Sequence, residues 1–180
     1  MLRYFVGALL LASACAANGQ SQPADPRTSA GCGPEKTQFD VKTDKHQHQT
    51  SPLETGKALV YVIVEERRDP HAHQIGDITT RVGLDGQWVA ANHGESYASF
   101  AADPGPHHLC TDWQSRLKSV QKLSSALDLT AESGKTYYIR AEVTIPWHDH
   151  DAQVRLEAVD DAEGLLLISR SARSTWTAKK

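Results

Sequence analysis

Tyr137 to Ile145 reads YYIRAEVTI, and taken two residues at a time it separates into two sets. Tyr137, Ile139, Ala141, Val143 and Ile145 are apolar, while Tyr138, Arg140, Glu142 and Thr144 fall between them. A period of two puts successive side chains on opposite faces, so this is a strand with one face in a core and the other turned away. Val154, Leu156 and Ala158 repeat the pattern a few residues later.

Working outward, the same chemistry recurs. Ala58 to Val64, ALVYVIV, is continuous and β-branched, as expected of a strand covered on both faces. Val82-Gly83-Leu84 and Gln87-Trp88-Val89 flank Asp85-Gly86, a pair that supplies the positive φ angles of a tight hairpin turn. Tyr97–Ala101 and His107–Trp113 flank the turn residues Asp103-Pro104-Gly105-Pro106, and Leu127 and Leu129 alternate with Asp128 and Thr130. Gln38 to Lys42 alternates as a short strand before the loop-like DKHQHQTSPLETG of Asp44 to Gly56. Asp160-Asp161-Ala162-Glu163 before GLLLISRSAR reads as a short helix with an aspartate cap and acids at its start. Gly164 counts against that helix. Gln114 to Ser125 reads equally as a helical turn or a long connection. Many short strands with turn chemistry between them predict a β-sandwich carrying a short C-terminal helix.

The amino terminus predicts export. Met1-Leu2-Arg3 and the apolar YFVGALLL of Tyr4 to Leu11 form a signal segment too short to span a bilayer. Ala12-Ser13-Ala14-Cys15 resembles a lipobox, and Ala14-Cys15-Ala16 would equally serve ordinary cleavage. The 3 cysteines bear on that choice, because an exported protein with an odd number leaves one unexplained. Lipidation of Cys15 uses the odd one and leaves Cys32 and Cys110 to pair in an oxidising envelope; the other reading is two buried free thiols. A bridge over so long a loop contributes up to about 4 to 5 kcal/mol on the chain-entropy model. The expected organisation is a signal peptide over 1–14, a lipidated cysteine and polar tether over 15–31, an arm over 32–55, and a sandwich over 56–180. The formal net charge of -3 offers no basic excess for phosphates, so nucleic acid is not an expected partner.

GKALVYV at Gly56–Val62, then VGLDGQWVA, DPGPHHLC and GKTYYIRAEV resemble, in this order, the bacterial envelope family known as domain of unknown function 2846. The resemblance covers about Gly56 to Ser171. The hairpin and the Pro104-Gly105 turn are also similar to PEGA-like surface modules, which implies an immunoglobulin-like or transthyretin-like sandwich. The lipid anchor read from Cys15 makes the membrane an expected partner, and an envelope protein is expected as another. It carries no catalytic residues over to this chain. Ala16 after Cys15 implies sorting to the outer membrane, facing the periplasm, where the bacterium has two membranes.

Chemistry-bearing residues are few in kind. The 9 histidines fall largely in pairs, and PWHDHD at Pro146–Asp151 adds two carboxylates to one of them. If consecutive strands are antiparallel neighbours, the loops after Ala58–Glu66, Gln87–Ala91 and Lys135–Ile145 share one end of the sandwich. They would bring His71, His73, His93, His148 and His150 together with Asp149 and Asp151, a donor set suited to zinc or copper. Against this, the spacing matches no established metal motif, a Greek-key crossover in place of the meander would separate the loops, and solvated loops collect polar residues anyway. The leading expectation is therefore a non-catalytic binding or structural module with no cofactor, and a zinc or copper protein is the alternative. No Gly-x-Ser-x-Gly elbow, His-Glu-x-x-His pair or phosphate-binding glycine loop points to an enzyme. His107 and His108 read as strand-surface residues, Trp88 and Trp113 as core or rim, and Trp147 as an exposed anchor for protein recognition.

Overall fold

A computed structural model describes residues 31–48, 50–71, 78–114, 124–147 and 152–179. They form β1 (Phe39–Asp44), β2 (Ala58–Arg68), β3 (Thr79–Leu84), β4 (Gln87–His93), β5 (Ser96–Ala102), β6 (Gly105–Gln114), β7 (Ser124–Ala131), β8 (Thr136–Ile145) and β9 (Gln153–Val159), then α1 (Asp161–Arg170) and β10 (Ala172–Ala178). A six-stranded sheet in the order β1-β10-β5-β2-β8-β9 faces a four-stranded sheet in the order β4-β3-β6-β7. The expected β-sandwich is present, and its helix lies on the outer side of the larger sheet.

Alternation explains β2. Ala58, Val60, Val62 and Val64 enter the core between the sheets, beside Val82, Leu109, Ile139 and Val143. Leu59, Tyr61 and Ile63 point the other way, into a second cluster with Tyr97, Tyr138, Leu167 and Ile168. The uninterrupted apolar run therefore serves two cores, one between sheets and one under α1. Tyr138 lies in this second cluster, stacked on Tyr61 with ring centroids 5.3 Å apart, so the outer face of β8 is covered there rather than solvated. Burial pushes the Tyr61, Tyr97 and Tyr138 hydroxyls above the usual phenol range. The Tyr61 hydroxyl nonetheless accepts from the Ser51 backbone N–H at 2.7 Å.

A side chain sets the start of α1, and the backbone N–H of Ser171 closes its end on the Leu167 and Ile168 carbonyls. Asp160 caps it by accepting from the Glu163 backbone N–H at 2.8 Å. Gly164 faces the Tyr138 ring so closely that a Cβ there would lie 2.2 Å from Cγ, which is why the helix tolerates a poor helix former at that position. Arg140 of β8 donates to Glu163 of α1 at 2.6 Å and to Glu157 of β9 at 2.9 Å, tying helix to sheet. The Arg140 hydrogen bond and charge hold the Glu157 carboxyl below its usual range. The helix is not the end of the fold: after Ser171 turns extended, β10 returns to pair with β1 along its length and briefly with β5.

The pairing corrects the assumed meander. Hairpins join β3–β4, β6–β7 and β8–β9, but between hairpins the chain crosses from sheet to sheet. β2 consequently lies between antiparallel β5 and parallel β8. The choice of neighbour is non-local, set by which apolar faces meet. Asp85 (φ 51) and Gly86 (φ 82) form the expected left-handed turn between β3 and β4.

The arm is part of the sandwich rather than a separate piece, because β1 supplies the edge strand of the larger sheet. Its start is sewn to the smaller sheet. Cys32 and Cys110 are bonded, with Cα atoms 5.5 Å apart, and Gly83 leaves room for the Cys32 backbone, whose oxygen would lie 2.0 Å from a Cβ. Trp88 Nε1 donates to the Pro34 carbonyl at 3.0 Å, and Arg81 donates to the Thr37 and Glu35 carbonyls and to Asp112. Two side chains also bridge the open seams between the sheets. Gln114 pairs its amide with both backbone groups of Phe39, and Ser125 Oγ accepts from the Leu156 N–H.

Candidate functional site

The strand parity that buries Val62 and Val64 continues into the charged end of β2. Glu66 and Arg68 share their face, so both are carried to the rim of the inter-sheet core. On the opposing sheet, Asn92 is fully buried and donates to the Val62 and Ser96 carbonyls at 3.2 and 2.8 Å. Gly94 donates its N–H to the Ile78 carbonyl at 2.8 Å. These contacts fix the β4–β5 turn and set His93 beside the end of β2, with its Nδ1 3.0 Å from Thr79 Oγ1.

The result is a cavity of about 620 Å³ whose walls include Lys45, Glu66, Arg68, His93, Glu95 and Arg170. Its floor and its rim differ. The Glu66 side chain is 5% exposed, and its Oε2 accepts from Arg68 Nε and Nη2 at 3.0 and 2.5 Å. Its Oε1 is shut off from bulk solvent and has no hydrogen-bond partner among the described residues. A carboxylate oxygen in that position forgoes the hydration it has in water, so a donor brought to it is favoured. Lys45, Glu95 and Arg170 are exposed at the rim. Sequence reasoning missed Glu66; the signal was present in its parity with Val60, Val62 and Val64.

The metal candidates divide. His93 lines this cavity, and His71 packs its ring against Trp147 with centroids 5.9 Å apart. β2 and β8 run parallel, so the segments that follow them leave from the same end. His73, His148, Asp149, His150 and Asp151 lie outside the described residues, as does Cys15. Among the described residues no three His, Cys, Asp or Glu side chains are grouped to hold a metal ion.

One of the surface assignments changes. His107 is 8% exposed, with Nδ1 2.6 Å from Asp85 Oδ2 and Nε2 2.6 Å from the Asp103 carbonyl. Its strand position near the turns gave it two acceptors, and burial follows from them. Trp88 is half-buried at the rim, as expected, and there it also hydrogen-bonds the arm. Trp113 packs on the main core, and Trp147 is 56% exposed.

No family model matches the chain, and no curated protein matches it. A protein from Eubacterium rectale solved by NMR is similar at 14% identity over 57% of this chain and 88% of its own, with a TM-score of 0.32. That likeness is too weak to support a fold or a function.

Proposed function

We propose that this is a lipid-anchored cell-envelope protein whose sandwich serves as a non-catalytic binding or structural module. The observation that carries the reading is the Cys32–Cys110 bridge, since such bonds persist in oxidising compartments and this one ties the end of the tether to the domain. With the signal segment and Cys15 before it, the bridge supports a domain held at a membrane through the polar segment that ends at Cys32. The charged cavity at the ends of β2 and β4 supplies the binding surface. Cys15→Ser should move the protein from the membrane fraction to the soluble envelope fraction. A variant that sediments like the parent would sink the anchor.

The second reading is zinc or copper binding by the end loops, favoured by the shared end of β2 and β8 and the contact of His71 with Trp147. About one ion per chain, retained through purification without chelators and lost when His71, His73, His148 and His150 become Ala, would establish it. No stoichiometric ion and no binding on titration would remove it.

A further inference from the structure

The charges around the cavity are sorted by depth. At the floor, Glu66 has one oxygen committed to Arg68 and the other without a partner among the described residues. At the rim, Lys45 and Arg170 are exposed cations with no ion-pair partner among the described residues, and they outnumber the one exposed rim carboxylate, Glu95. Arg170 closes the last turn of α1, and Lys45 follows β1, so the two come from different elements onto one opening. The floor therefore calls for a hydrogen-bond donor, best a cationic one, and the rim for an anion. A purely anionic ligand would leave Glu66 Oε1 unsatisfied and face it with like charge. A purely cationic ligand would meet Lys45 and Arg170.

We infer that the cavity takes a small amphoteric molecule of the amino-acid or short-peptide class, its amino group on Glu66 and its carboxylate between Lys45 and Arg170. This deepens the binding-module reading and rests on it. The cavity volume lies within the range of small-molecule sites, roughly 300 to 1,000 Å³, and exceeds what a single small amino acid fills. A di- or tripeptide suits it better. The two contacts differ in their response to salt, because the rim cations are exposed and screened while Glu66 is sheltered.

The test is calorimetric titration of the full chain in detergent with alanyl-alanine, its N-acetyl form and its C-terminal amide, with glycine as the small comparator. Saturable binding of alanyl-alanine is expected, weakened at least about tenfold by either block, with glycine weaker than the dipeptide. In Glu66→Gln, which keeps the side chain's shape, the preference for the free amine over the acetylated one should collapse towards one. Lys45→Gln with Arg170→Gln should collapse the preference for the free carboxylate instead and remove most of the salt dependence. Equal binding of all three dipeptide forms would overturn the charge assignment while leaving a binding module. Absence of binding by every probe, with the folded state verified by the intact disulfide and circular dichroism, would overturn the inference. The membrane anchor is judged separately, by the Cys15→Ser fractionation.

Discussion

The guanidinium of Arg81 lies over the indole of Trp88, its carbon 4.4 Å from the ring centroid, and both residues reach backbone carbonyls of the arm. One arginine thus serves a cation–π contact, two carbonyls and the carboxylate of Asp112, while 6% exposed. Arg81→Met leaves the Asp112 carboxylate without its cation in a sheltered site. It should cost on the order of 3 kcal/mol of unfolding free energy in urea titrations. Trp88→Ala should cost about 1 to 2 kcal/mol through the lost contact and packing. Changes below the precision of the titration in both variants would show that the arm is not held by this pair.

Gly164 reverses a common stabilising substitution. In an exposed helix interior Gly→Ala gains about 1 kcal/mol. Here the added methyl meets the Tyr138 ring, so Gly164→Ala should lose roughly 1 to 3 kcal/mol and lower the melting temperature. A raised melting temperature would mean that α1 does not press on that ring.

Cys32 and Cys110 should resist alkylation in the native protein until a reductant is added. Replacing both by Ala should reduce stability by about 2 to 5 kcal/mol, since the bridge closes a loop over a sequence separation of 78 residues. Free labelling of both thiols without reductant would count against the bridge.

Two pH limits follow from the shifted groups. Glu157 is depressed in the folded state by its hydrogen bond and charge contact with Arg140, so its contribution is present above the unfolded carboxyl range and is lost as pH falls through the folded value. Glu157→Gln should flatten stability below about pH 4.5 relative to the parent. Tyr61, Tyr97 and Tyr138 are raised by burial, so their contribution is intact below about pH 10 and disappears as pH rises through the folded values. Tyrosinate absorbance should therefore appear for these residues late, together with loss of the fold. Their titration in the ordinary phenol range before unfolding would contradict the second core.

Local chemistry made much of this fold readable. The alternation of β8, the Asp85-Gly86 turn and the Asp160 cap each depend on residues next to one another, and each lies where the sequence puts it. The order of strands is not local. Nothing in Ala58–Val64 says that one flank meets β5 and the other β8, because any apolar strand presents similar edges. His107 shows the same limit at the scale of a side chain: its burial depends on Asp85, brought over by a turn in another hairpin. Glu66 was hidden because charged residues at a strand end read as solvated. The opposing His93 turn, the residues after β1 and the end of α1 enclose them.

The parallel pairing of β2 with β8 sets a timetable for the nascent chain. Ala58–Val64 is the most apolar strand and is synthesised early, yet its flank waits for Thr136–Ile145 and its outer face for α1. Once Ser96–Ala102 has covered one edge it is still an uncharged, β-branched segment with its other edge open, the kind that seeds aggregation. The chain must be kept apart from its copies through most of its own production, and Glu65, Glu66, Arg67 and Arg68, placed directly after that run, are the charges able to do so.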